Sequence, residues 1–165
     1  MQKLLVILVF LTLVFSCKKE KKEEIVENTS SKSVSFHNTP ETAKFDLEVE
    51  EILNAWAEFQ AFQNSFEVIY RAANNEDLIL AVDDVLEKEK ALRESTYPEV
   101  FDKSQIKSRQ KVLRNFLLKV RASLIENTDL ELPLKEMLIA RNAFRNQFNV
   151  IVSNKLDTQL ILDEN

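Results

Sequence analysis

Three charged residues fall where helical spacing would turn them inward. Glu89 lies four residues after Val85 and three before Leu92, on the extrapolated line of an apolar stripe. Arg109 and Arg141 sit near two later stripes. A carboxylate buried beside a guanidinium is a recurrent ingredient of binding and catalytic sites, because neither charge is tolerated in the interior alone. The competing reading places each at a boundary, with its stem on the core and its head in water. The adjacent acids Glu50-Glu51 and Asp83-Asp84 point to different parts of a helix surface. Neither pair converges for acid–base work.

More chemistry is excluded than suggested. The chain of 165 residues contains no Gly, so phosphate-cradling and dinucleotide-binding loops are not expected, since both need close backbone approach. The single histidine, His37, lies ahead of the apolar-periodic region. That removes Glu-x-x-His di-iron sites and a histidine base for a serine nucleophile. Cys17 is the only cysteine, which leaves no disulfide, no Cys-rich metal site and no Cys-x-x-Cys-His haem motif. Met137 reads as core filler, not as an axial haem ligand. The expectation is no catalytic residue, no metal and no cofactor.

Charge is uneven. The formal net charge is −5, which argues against a nucleic-acid partner. From Glu41 to Glu94 there are 14 acidic and 5 basic residues, and from Ser95 onward 9 acidic and 11 basic. Within the second part, Lys103, Lys107, Arg109, Lys111, Arg114, Lys119 and Arg121 follow one another with no acid between them. They define a candidate face for an anionic partner. The alternative is attraction between an acidic first half and a basic second half within the fold, each exposed pair contributing ~0–1 kcal/mol.

These residues must be positioned by helices. Phe45, Val49, Ile52, Trp56, Phe59, Phe62, Phe66, Ile69 and Ala73 recur at steps of three and four, predicting one long helix. Asn74, with Asp77 three residues on, predicts a cap for a second helix through Leu78, Val82, Val85 or Leu86, and Leu92. That helix ends before Tyr97-Pro98. Asp102 with Gln105 predicts the cap of a third, carrying Ile106, Leu113, Phe116 or Leu117, Val120 and Leu124. Pro133 suits the first turn of a fourth, through Met137, Ala140, Phe144, Phe148 and Ile151 to about Leu156, followed by a tail from Asp157 that frays unless Leu160, Ile161 and Leu162 pack back onto the bundle. Short links between four amphipathic helices predict an all-α, antiparallel up-down-up-down four-helix bundle over 41–165. Its Phe-rich seam reads as core. Polar residues at Gln60, Gln63 and Asn64, and at Asn142, Asn146, Gln147 and Asn149, offer a groove for a partner helix or a sugar.

Ahead of the helices, Lys3 precedes an apolar run from Leu4 to Phe15, too short for a span and suited to a signal segment over 1–16. Val14-Phe15-Ser16-Cys17 resembles the lipobox of bacterial lipoproteins, although Phe15 is bulkier than the usual occupant. The resemblance implies cleavage before Cys17, with lipid on its thiol and on the new amino terminus. An ordinary secretory signal and a retained anchor are the alternatives. Residues 17–40 are charged and then Ser/Asn/Thr-rich, the composition of a flexible tether. Lys22-Glu23-Glu24 resembles the export signal of surface-exposed Bacteroidetes lipoproteins, and the whole resembles small flavobacterial lipoproteins. The resemblance implies a lipid-anchored envelope protein, at the periplasmic face of the outer membrane with surface display as a variant. The expected function is a non-catalytic binding or scaffold module that contacts the membrane through Cys17 and another envelope protein through its helices. The alternative is a carrier of a small apolar or anionic ligand held between helices.

Overall fold

A computed structural model describes residues 39–163, with side chains through Asn154. The signal segment 1–16, Cys17 and nearly all of the tether lie outside the described residues. Among those described there are five α-helices and no strand: α1 (Leu47–Asn54), α2 (Ala57–Ile69), α3 (Asn75–Glu94), α4 (Ser104–Ile125) and α5 (Glu131–Asp163). Each of α2, α3 and α4 packs on the helix that follows it, and α1 packs on both α2 and α5. No helix among the described residues is long and apolar enough to cross a membrane.

The long first helix predicted from Phe45 to Ala73 is two helices. The chain turns αR at Ala55 and extends at Trp56 (φ −100°, ψ 96°). Trp56 belongs to the apolar stripe by spacing, but its ring is drawn elsewhere. It lies 4.7 Å from the Tyr97 ring and 5.7 Å from Phe59, and its indole N–H donates to Ser95 Oγ at 3.0 Å. The break releases the Leu53 carbonyl, which then accepts from the Trp56 N–H (3.1 Å) and from Gln60 Nε2 (3.0 Å). A buried carbonyl left unpaired would oppose the break; Gln60 removes that cost.

With no glycine available, asparagine serves at two helix ends. Asn74 caps α3, its side chain accepting from the Asp77 N–H at 2.8 Å. Asn127 takes φ 52° after α4. There the Thr128 N–H reaches the Ser123 carbonyl and the Asn127 N–H that of Leu124, a Schellman closure. Two other expectations are corrected. Asp102 does not cap α4: the cap position is Lys103, without a side-chain bond, and Asp102 instead pairs with Lys107. The last helix does not stop near Leu156 but continues to Asp163, through a stretch that contains no Gly or Pro to end it.

The core is the Phe seam. Phe59, Phe62 and Phe66 of α2 meet Phe144 and Phe148 of α5, joined by Phe101 from the α3–α4 link. Ring centroids stand 4.8–6.4 Å apart, mostly edge to face, the arrangement ring quadrupoles favour. Of the paired options in the stripes, Val85 and Leu117 are buried, while Leu86 and Phe116 flank the core. Two substitutions separate the contributions to stability. Asn74→Ala should cost about 1 kcal/mol by loss of the cap. Trp56→Ala should cost about 3–5 kcal/mol by removing the ring that holds the α1–α2 break. Both are read from urea midpoints at unchanged m value.

Candidate functional site

The carboxylate of Glu89 is fully buried, 0% exposed. Its Oε2 accepts from Arg114 Nη1 at 2.6 Å, and its Oε1 accepts from Gln110 Nε2 at 3.1 Å. Gln110, itself buried, passes the connection on, because its Oε1 accepts from the Tyr97 hydroxyl. The Tyr97 ring packs tilted against Trp56, 4.7 Å between centroids, and Lys107 sits over the Tyr97 ring 5.1 Å from its centroid. Burial, and then the negative charge of Glu89, push the Tyr97 phenol up to about 12. The arrangement holds one carboxylate, one amide and one phenol in a line, with the guanidinium of Arg114 partly open to solvent.

A buried Glu89–Arg pair is therefore present, with a different arginine from those the spacing nominated. Arg109 is exposed. Arg141 is buried, and its Nη1 donates to the Tyr70 hydroxyl at 2.9 Å. Four of the seven basic residues have ion partners within the fold: Lys107 with Asp102, Arg114 with Glu89, Lys119 with Glu136 and Arg121 with Asp83. Two of these join α3 to α4, the attraction between acidic and basic halves that charge counting suggested. Lys103, Arg109 and Lys111 stand exposed and form no ion pair among the described residues. No group of three or more His, Cys, Asp or Glu able to hold a metal occurs among the described residues.

A second polar cluster joins Arg141, which the helical spacing nominated, to Arg145, which it did not. Arg141 and Arg145 occupy one face of α5, 4% and 9% exposed, and neither meets a carboxylate in an ion pair among the described residues. Aromatic faces receive them instead. The Arg141 guanidinium lies 4.4 Å from the Phe66 centroid and that of Arg145 lies 3.8 Å from Phe45, contacts that favour a cation. Burial, and then repulsion from Arg141, bring Arg145 down to about 10. The polar positions Asn142 and Asn149, read as an open groove, are covered by the chain's own residues 41–46. Arg145 was legible as the residue one turn beyond Arg141, and Gln110 as the polar member four residues after Ile106.

A groove of about 360 Å³ opens where α2 ends and α3 begins, lined by Val68, Arg71, Ala72, Asp77, Leu80, Ala81 and Asp84. Val68 is 48% and Leu80 69% exposed. The lining mixes apolar residues with one cation and two carboxylates, a composition that suits a partner with both apolar and charged groups.

No protein-family model, no curated protein and no solved structure matches this chain.

The Tyr97 shift carries a pH signature. A phenol whose folded value lies above its unfolded value of 10 adds stability in full below pH 10, and that contribution is lost as pH rises through about 12. Unfolding free energy should fall across this window in the native chain. Tyr97→Phe should flatten the fall, as followed by urea unfolding at stepped pH. Glu89→Ala should cost about 1–3 kcal/mol at neutral pH, because Gln110 Nε2 keeps only the main-chain carbonyl of residue 89 and the partly exposed Arg114 guanidinium is left to water.

Proposed function

We propose that this chain is a lipid-anchored binding module of the cell envelope, non-catalytic, joined to the membrane through Cys17 and to another envelope protein through its helices. The α2–α3 groove is the observation that carries the binding part: exposed Val68 and Leu80 line it together with Arg71, Asp77 and Asp84. Isolated exposed apolar residues are ordinary, but apolar residues gathered in a concavity rimmed by charge mark contact sites. A partner would seat an apolar side chain between Val68 and Leu80 and turn a basic group toward Asp77 and Asp84. The anchor rests on the apolar run that ends at Val14-Phe15-Ser16-Cys17 and the charged stretch after it. Several acyl chains give stable anchoring where one alone is marginal.

In this reading α1 and α2 are a single interrupted arm of an antiparallel four-helix bundle, with α3, α4 and α5 as the others. The short links and the packing of each helix on its neighbour support it. The outer membrane, at its periplasmic face, is the proposed location. Lys103, Arg109 and Lys111, which form no ion pair among the described residues, are available to an anionic surface. A carrier of a small ligand between helices is the lesser reading, because Phe59, Phe62, Phe66, Phe144 and Phe148 already fill the seam where it would lie.

Two measurements test the proposal separately. Radiolabelled palmitate should enter the native protein and fail to enter Cys17→Ala; equal labelling removes the anchor. A photocrosslinker at Leu80 should trap one envelope protein in membranes. The adduct should disappear with Val68→Glu, while a crosslinker at exposed Leu118 traps nothing. Equal adducts at both positions would remove the groove.

A further inference from the structure

Residues 41–46 run extended along α5, in the same direction as the helix, and the way they are held is unusually uniform. Asn142 uses both ends of its amide: Oδ1 accepts from the Ala43 N–H at 2.9 Å and Nδ2 donates to the Glu41 carbonyl at 2.7 Å. Asn149 repeats the device two turns later, with Oδ1 accepting from the Asp46 N–H at 3.2 Å and Nδ2 donating to the Lys44 carbonyl at 3.0 Å. Between them Arg145 Nε donates to the Ala43 carbonyl at 2.6 Å. All five bonds go to main chain. None of them depends on which side chains the extended segment carries, so any extended peptide in this register would satisfy them equally.

One side chain is read. The Phe45 ring lies 5.9 Å from Phe59 and 6.1 Å from Phe148, under the Arg145 guanidinium. Side chains alternate along extended backbone, so position 43 shares the inward side with Phe45. There the segment presents only the methyl group of an alanine. Beside it the buried Arg145 guanidinium, joined to no carboxylate in an ion pair among the described residues, donates from Nε to the Ala43 carbonyl at 2.6 Å and from Nη1 to Gln63. Glu50 and Glu67 act on Arg145 through the field alone, so position 43 is where an acid would meet the guanidinium directly, and the present occupant has none there. A charge-assisted hydrogen bond is worth about twice a neutral one, so an acid at position 43 would be favoured over alanine.

We infer that this face of α5 is a peptide-binding groove filled by the chain's own 41–46 segment, and that it accepts in exchange an extended peptide of another protein bearing an acidic residue two positions before an aromatic one. The inference stands on α5 and residues 41–46, apart from the α2–α3 groove, and needs no lipid at Cys17.

The test uses the full chain and two labelled synthetic peptides: ETAKFDL, the sequence of residues 41–47, and the same peptide with Ala43→Asp. In Phe45→Ala protein, whose own segment has lost its anchor, fluorescence anisotropy should show both peptides binding. The acidic one should bind about tenfold tighter, the ratio expected of one charge-assisted bond. Adding Asn142→Ala and Asn149→Ala should weaken both at least about tenfold, and Arg145→Met should erase the preference for the acidic peptide. In the native chain, saturating acidic peptide should speed amide hydrogen exchange at Ala43 and Asp46, whose N–H groups the two asparagines hold. That measurement decides the matter alone if Phe45→Ala fails to fold. No binding to folded Phe45→Ala, equal affinity for the two peptides, binding indifferent to the asparagines, or unchanged exchange at Ala43 and Asp46 would each overturn the inference.

Discussion

Glu89 buries its carboxylate out of reach of bulk solvent, and that constraint reaches across most of the fold. A buried charge persists only if its partners stand in fixed places. Those partners, Arg114 and Gln110, lie one turn apart on α4. Their register against α3 is thereby set. Gln110 accepts from Tyr97, which positions the link between the two helices, and Tyr97 and Ser95 together hold the Trp56 ring. Trp56 in turn decides where the chain stops being α1 and begins to be α2. A line of contacts thus runs from one carboxylate to a helix break 33 positions earlier in the sequence, through four separate elements.

The lack of glycine explains why side chains take part in so many of the chain's reversals. Where positive φ is needed, Asn127 supplies it; where a helix start needs an acceptor, Asn74 does; where a helix is interrupted, Gln60 takes the released carbonyl. An asparagine or glutamine amide carries a donor and an acceptor on one group, so it can replace a peptide unit. The same property lets Asn142 and Asn149 hold extended backbone against a helix, a job usually done by another strand. Polar residues that look dispensable on a helical wheel are here the connectors.

What local spacing can state, it stated well. The α-helical class, the Phe seam, the Asn74 cap and the inward position of Glu89 are all consequences of period and neighbour chemistry, which are written within a few residues. Trp56 was counted correctly as apolar and buried, but its exit from the helix depends on Ser95, 39 residues away. Asp102 looked like a cap until Lys107 competed for it. Arg114 could not be preferred over Arg109 as the partner of Glu89, because the register between two helices is a tertiary quantity. Asn142 and Asn149 read as an open polar groove because the segment that covers them lies about a hundred residues upstream. Cys17, the residue most legible in the sequence, lies outside the described residues.

The segment along α5 also has a mechanical meaning. Its bonds come in order: Asn142 holds residues 41 and 43, Arg145 holds 43, and Asn149 holds 44 and 46. A pull on residue 41 directed away from the face of α5 would load them in that order, Asn142 first, then Arg145, then Asn149, and would draw the Phe45 ring from its seat while the Phe seam between α2 and α5 keeps its contacts. A pull along the helix axis would instead load all five bonds together. The strap is weak to peeling and strong to shear.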